Sequence, residues 1–207
     1  HGVAHALREA GVRRGDRVAV LLAKSLDVPV SFYGVYASGG ALVPIDPKAP
    51  RAQVARILNA TGVRHVVTEP GRRSAIEALL GDCPGVTHVL GCEDPLPGNV
   101  TTTPWSELSA QATDAPPAAK VAGIDTSYIM HTSGSTGEPK LIRHTHASAV
   151  AFAEWAAEEY GLTPEDRLSN HSSHHTCFAT FDYYAAARAA ATTVVLTPAA
   201  MMMPASL

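Results

Sequence analysis

The chain predicts an α/β fold of layered, mostly parallel sheets with flanking helices, and three observations carry that prediction. Helix-like and strand-like segments alternate along most of the 207 residues. The run Val18-Ala-Val-Leu-Leu22 is apolar throughout instead of alternating, the pattern of a strand covered on both faces. A hydrophobic content of 46% is enough to bury a sizeable core.

Taken in order, an amphipathic helix over 3–10 stops at Gly11, and a buried strand covers 16–22. A second helix over 28–37 ends at Gly39-Gly40, and 42–47 is a short extended piece. Pro50 opens a helix whose Val54, Ile57 and Leu58 share one face before a stop at Thr61-Gly62. Strands over 65–68 and 86–90 bracket a helix over 73–80. Between 93 and 126 the pattern dissolves into Pro, Thr, Ala and Ser, which reads as a linker with a short helical piece at 105–110. The segment 147–160 is a helix with Gly161 past its end, and its stripe of Val150, Phe152, Trp155, Ala156 and Tyr160 reads as core. Strands over 166–170 and 193–196 bracket a last helix over 183–191. The expected organisation is a first βα block (1–93), a connection (94–126) and a second block (127–207). The run Met201-Met202-Met203 has no evident role.

Charge and cysteine usage narrow the function classes. A net charge of -3 and a pI near 6.4 give no basic footprint for nucleic acid. Cys83, Cys92 and Cys177 are odd in number and form neither a disulfide framework nor a CxxC pair, which fits a reducing compartment. No apolar run is long enough to span a bilayer, so a cytoplasmic protein without membrane contact is the expectation.

The segment His131-Thr-Ser-Gly-Ser-Thr-Gly-Glu-Pro-Lys140 is the most informative of the chain. Gly134 and Gly137 permit backbone shapes that turn N–H groups towards an anion; Thr132, Ser133, Ser135 and Thr136 add hydroxyl donors, and Lys140 adds a point charge. The spacing is not that of a Walker A loop, because Lys140 is followed by Leu141 and not by Ser or Thr. Tyr128-Ile129-Met130, the core Thr132-Ser-Gly-Ser-Thr-Gly-x-Pro-Lys140 and His146 together resemble the phosphate loop of the adenylate-forming enzymes, the superfamily of acyl-CoA synthetases, luciferases and adenylation domains of nonribosomal peptide synthetases.

That resemblance extends over nearly the whole chain. Gly15-Asp-Arg-Val-Ala-Val20 is similar to the family's opening strand, and Val43-Pro-Ile-Asp-Pro47 with Pro50 resembles a motif of peptide-synthetase adenylation domains. Ser135 and the stretch Leu162-Thr-Pro-Glu-Asp-Arg-Leu168 lean the same way. The implied chemistry is activation of a carboxylic acid, an amino acid in the first instance, as an acyl-adenylate with loss of pyrophosphate. Transfer to the phosphopantetheine thiol of an acyl or peptidyl carrier protein would follow. ATP and Mg²⁺ are the implied cofactors; Thr132, Ser133, Gly134, Ser135, Thr136, Gly137 and Lys140 would hold the phosphates, with Lys140 neutralising them. An acyl- or aryl-acid CoA ligase and a non-catalytic nucleotide-binding fragment are the alternatives. The family's adenine-binding stretch, ribose-binding aspartate, hinge and C-terminal lysine have no counterpart here, so the expectation is the N-terminal portion of the large domain of such an enzyme.

The acid end departs from the resemblance. Amino-acid-activating members carry Phe-Asp where the same register puts Thr176-Cys177, and Asp182 is a candidate compensating anion. The candidate pocket is His174, His175, Cys177, Phe178 and Asp182. His171, His174, His175 and Cys177 are also metal-ligand types, but their spacing matches no familiar zinc pattern and no metal is expected. Leu141 and Ala190 stand where glycine is usual in the family, each adding a side chain at a tight backbone approach.

Overall fold

The computed structural model describes residues 1–110, 115, 117, 119–132, 140–196 and 200–201. Helix α1 (Gly2–Glu9) leads into strand β1 (Arg17–Leu21), helix α2 (Asp27–Ser38) and strand β2 (Ala41–Pro44). Helix α3 (Arg51–Thr61), strand β3 (His65–Thr68), helix α4 (Arg73–Leu80) and strand β4 (His88–Leu90) follow. Then come strand β5 (Thr101–Thr103), helix α5 (Trp105–Ala110), strand β6 (Thr126–Thr132) and strand β7 (Lys140–Thr145). Helix α6 (His146–Glu159), strand β8 (Arg167–Asn170), a π-helical turn (Phe181–Ala185), helix α7 (Ala186–Arg188) and strand β9 (Thr192–Val195) complete the order.

Seven strands form one sheet in the order β5-β4-β3-β1-β2-β6-β7, parallel except for β7, which returns antiparallel along β6. The first strand is central because it is apolar on both sides. Val18 and Val20 point into a core built with Val3 and Leu7 of α1, Val28, Phe32 and Val35 of α2 and Leu108 of α5. Ala19 and Leu21 point the other way, onto Val54, Ile57 and Leu58 of α3 and Ile76 and Leu79 of α4. Alternate residues of one strand thus feed two cores, as period-2 geometry requires. Strands β8 and β9 pair in parallel as a second, two-stranded sheet.

Local signals explain most boundaries. Pro50 is the N-cap of α3, and Gly62 closes that helix at φ +63°. Thr145 and Ser148 cap α6 reciprocally: the Ser148 amide donates to Thr145 Oγ1 at 3.1 Å, and the Thr145 amide donates to Ser148 Oγ at 3.0 Å.

Three expectations need correction. The stretch 94–126 holds the sheet's edge strand β5, paired with β4 through His88↔Thr101, Val89↔Thr102 and Leu90↔Thr103. Its residues are threonines at a sheet edge, so no apolar pattern marks them. The aromatic stripe of α6 is not core here: Trp155 is 53% and Tyr160 63% exposed, and the buried positions of that helix are Ala153 and Ala156. The last helix is two pieces, with the π-helical turn first and α7 ending at Arg188.

Two backbone positions give opposite predictions for stability. Gly91 has φ +107°, and a Cβ there would sit 1.9 Å from the Thr68 carbonyl oxygen. Gly91→Ala is expected to cost at least about 3 kcal/mol, since both the dihedral and the clash oppose it. Ala190 is the one non-glycine residue with positive φ among those described, at +55°. Ala190→Gly should stabilise by about 0.5–1 kcal/mol through relief of that strain. Urea unfolding of both variants checks the pair of signs, and a destabilised Ala190→Gly would contradict the strain reading.

Candidate functional site

The site begins with the β6–β7 hairpin. Its register pairs Tyr128 with His144, Met130 with Ile142, His131 with Leu141 and finally Thr132 with Lys140. Thr132 and Lys140, both exposed, therefore mark the two feet of the loop between them. Ser133, Gly134, Ser135, Thr136 and Gly137, named from the sequence as phosphate ligands, lie outside the described residues. The base of the hairpin is anchored: Arg14 donates to both Asp125 carboxylate oxygens at 2.6 and 2.9 Å, and the His146 amide donates to the Asp125 carbonyl at 3.0 Å. The guanidinium holds the Asp125 carboxyl below the usual carboxylate range.

Parallel strands end together, so the segments leaving β1, β2 and β6 emerge on one edge, the usual place for ligands in such sheets. Lys24, beyond β1, donates to the carbonyls of Asn170 and His171 at 2.6 and 2.9 Å, pinning the end of β8 against the large sheet. Burial lowers the Lys24 ammonium pKa, and nearby Asp182 opposes that effect. Asp46, beyond β2, reaches to 3.8 Å from His175 Nε2. A cavity of about 290 Å³ opens among Lys24, Asp46, Lys48, Ser173, His174 and His175.

The candidate pocket residues separate in space. His174 is 3% exposed, edge-on to Phe32 at 6.2 Å, and its pKa is pushed down to about 4, chiefly by burial and next by His175. His175 is half-buried and also shifted down by burial, with Asp46 pulling the other way. Both line the cavity. Cys177 and Phe178 do not; both are exposed, Phe178 by 72%. Asp182 is buried, its Oδ2 accepting from Asn170 Nδ2 at 2.7 Å while Tyr183 donates to Asn170 Oδ1 at 3.1 Å. Burial raises the Asp182 carboxyl pKa.

Sequence reasoning does not single out Lys24 or Asn170. Their roles come from contacts between segments 146 positions apart, for which no local pattern exists. Among the described residues no group of three or more His, Cys, Asp or Glu side chains could hold a metal ion, and no helix is long and apolar enough to cross a membrane.

Comparisons with known proteins agree on a family. A model described as AMP-binding enzyme matches residues 1–207. An isonitrile lipopeptide synthase of Streptomyces coeruleorubidus is 34% identical over 84% of this chain, which spans 11% of that protein. An L-proline ligase for the L-prolyl carrier protein, from Pseudomonas fluorescens, is 29% identical over 84% of this chain and 33% of its own length. The chain thus spans a third or less of these curated relatives. Among solved structures, the nonribosomal peptide synthetase FmoA3 in its α-methyl-L-serine-AMP-bound form aligns with a TM-score of 0.75 at 30% identity, covering 95% of this chain and 20% of that one. MatB from Rhodopseudomonas palustris shares the fold, with a TM-score of 0.79 at 21% identity over 94% of this chain and 38% of its own.

The buried histidines give the site a pH signature. For His174 the folded-state pKa lies near 4 against 6.5 in an open chain, so between those values the unfolded chain binds more protons and stability falls as pH falls. At about pH 5 this one residue should account for about 2 kcal/mol of lost stability relative to neutral pH. Urea unfolding at neutral and acid pH checks it. His174→Gln should show a smaller acid loss than the wild type, and an identical loss would remove His174 as the cause.

Proposed function

The chain belongs to the AMP-binding enzyme family, and from that premise we propose that it supplies the phosphate-binding hairpin and part of the acid site of an AMP-forming ligase. A carboxylate oxygen of the acid, an amino acid in the first instance, attacks the α-phosphorus of ATP. The bond to the bridging oxygen breaks, pyrophosphate leaves, and an acyl-adenylate remains. The acyl group then passes to the phosphopantetheine thiol of an acyl or peptidyl carrier protein, releasing AMP.

One observation carries this reading: Thr132 and Lys140 stand opposite each other at the end of a hairpin built into the sheet. The chemistry asks for two anions to be brought together and for charge on the departing pyrophosphate to be stabilised. In this reading the hydroxyls and amides of Thr132, Ser133, Gly134, Ser135, Thr136 and Gly137 hold the β- and γ-phosphates. Lys140 neutralises them, and Mg²⁺ arrives on the nucleotide. FmoA3, 30% identical, has been solved in an AMPPNP-bound form, which supports ATP as the nucleotide.

The acid pocket is assigned to His174 and His175, which line the cavity, with Asp182 buried nearby and Cys177 and Phe178 exposed outside it. Asp182 is already engaged by Asn170 Nδ2, which favours a structural role under the pocket over direct pairing with a substrate ammonium. With Thr176-Cys177 in place of Phe-Asp and a neutral His174, a second reading has support: an acyl- or aryl-acid ligase with coenzyme A as acceptor.

Carboxylate-dependent exchange of labelled pyrophosphate into ATP, run with amino, aryl and fatty acids in parallel, tests both readings. Exchange with amino acids alone supports the first, exchange with aryl or fatty acids alone the second, and silence from folded protein with every acid contradicts catalysis by this chain. Where exchange is seen, Lys140→Ala should lower it roughly 100-fold. Because the side chain is exposed, stability should stay within about 0.5 kcal/mol of wild type. Equal exchange at equal folded fraction would remove Lys140 from the phosphate site.

A further inference from the structure

Three imidazoles and one carboxylate meet where β2 and β6 end. The rings of His131 and His175 lie parallel, 2° apart in plane and 6.5 Å between centroids. His174 stands edge-on to His175 at 5.6 Å. Asp46 Oδ1 accepts the Lys48 amide at 2.9 Å, which aims the other oxygen, Oδ2, at His175 Nε2, 3.8 Å away. Three ring nitrogens here are buried without a hydrogen-bond partner: His131 Nε2, His174 Nε2 and His175 Nδ1. Orphaned buried polar atoms are costly, and so many on adjacent rings point to a group that completes them.

The cavity of about 290 Å³ supplies the space, and its walls supply cations: Lys24 and Lys48 line it with His174 and His175. Lys24 is committed to the carbonyls of Asn170 and His171. His131 sits on β6 directly before Thr132, so the ring stack lies at the foot of the hairpin loop. We propose that Asp46 is a positioning residue that holds His175 ready to take up a proton when an oxyanion of phosphate chemistry enters this cavity, so that anion and proton bind together. The inference rests on the reading of the hairpin as a phosphate site and extends it to residues outside the loop.

The charges facing His175 decide the outcome. Burial favours the neutral His175 ring and Asp46 opposes it, while Lys24 and Lys48 line the same cavity. A phosphate anion adds to the side of Asp46 and tips the balance towards imidazolium. Removing the Asp46 charge takes away the only standing bias for that state among the described residues.

The test follows histidine ring C–H signals of the purified chain by NMR across the acid-to-neutral range, with inorganic pyrophosphate as the probe. His131→Gln and His175→Gln assign the resonances. Asp46→Asn keeps an oxygen acceptor for the Lys48 amide and so should preserve the fold. Pyrophosphate is expected to raise the His175 midpoint by about one pH unit in wild type, equivalent to roughly 10-fold tighter binding to the protonated form. In Asp46→Asn the midpoint without pyrophosphate should fall and the pyrophosphate response should shrink. A His175 midpoint that pyrophosphate leaves unmoved in wild type overturns the proposal, whatever the variant does. A midpoint insensitive to Asp46→Asn overturns the role of Asp46. ATP binding measured by equilibrium dialysis separates this idea from the one beneath it. ATP bound with no change at His175 removes this inference and leaves the hairpin reading, whereas a pyrophosphate response at His175 without ATP binding keeps this inference and the phosphate site but removes nucleotide binding from the hairpin reading.

Discussion

Burial of β1 on both faces is the constraint from which the site follows. Val18, Ala19, Val20 and Leu22 have no exposed surface, so the strand can lie only at the centre of a sheet with helices on either side. Parallel neighbours β2 and β3 then follow, because helices α2 and α3 must pack on opposite faces to cover it. Once these strands share a direction, their carboxyl ends share an edge. Lys24, Asp46 and His131 come from segments far apart in sequence, yet each lies at or just beyond the end of its strand. The site is a consequence of covering one apolar strand from both sides.

The environment at that edge is unusual in its neutrality. Burial depresses the pKa of His131, His174 and His175, so the cluster contributes hydrogen-bonding atoms without standing positive charge. Fixed charge is concentrated in Lys24, Lys48 and Asp46, and that of Lys24 is engaged in joining β8 to the large sheet. Under the proposed coupling, such an arrangement would bind an anion weakly until a proton arrives with it, as a site that accepts and releases phosphate groups would require.

Much of the architecture is legible in the sequence because local rules and the tertiary demand agree. The apolar run of β1, the Pro50 and Gly62 boundaries of α3 and the amphipathic α4 are each specified within a dozen residues. Strand β5 is not, since three threonines at a sheet edge carry no burial pattern. The aromatic stripe of α6 misleads for a related reason: periodicity shows that a helix has an apolar face but not what covers it. At the site, the loop residues can be named from composition and spacing, whereas the approach of His175 to Asp46 depends on strand order, which no short window encodes. Ala190 is the intermediate case, since its positive φ gives a physical meaning to a position where glycine is usual in the family that the chain resembles.

The claim on which the rest depends is that the β6–β7 hairpin receives the nucleotide phosphates. Hydrogen–deuterium exchange of the chain with and without saturating ATP and Mg²⁺ tests it most directly, because amides that close on phosphate oxygens exchange more slowly. Slower exchange centred on 132–141, with α3 and α4 unchanged, is the predicted result. Protection confined to the opposite end of the sheet, or none at a concentration that saturates binding, would contradict it.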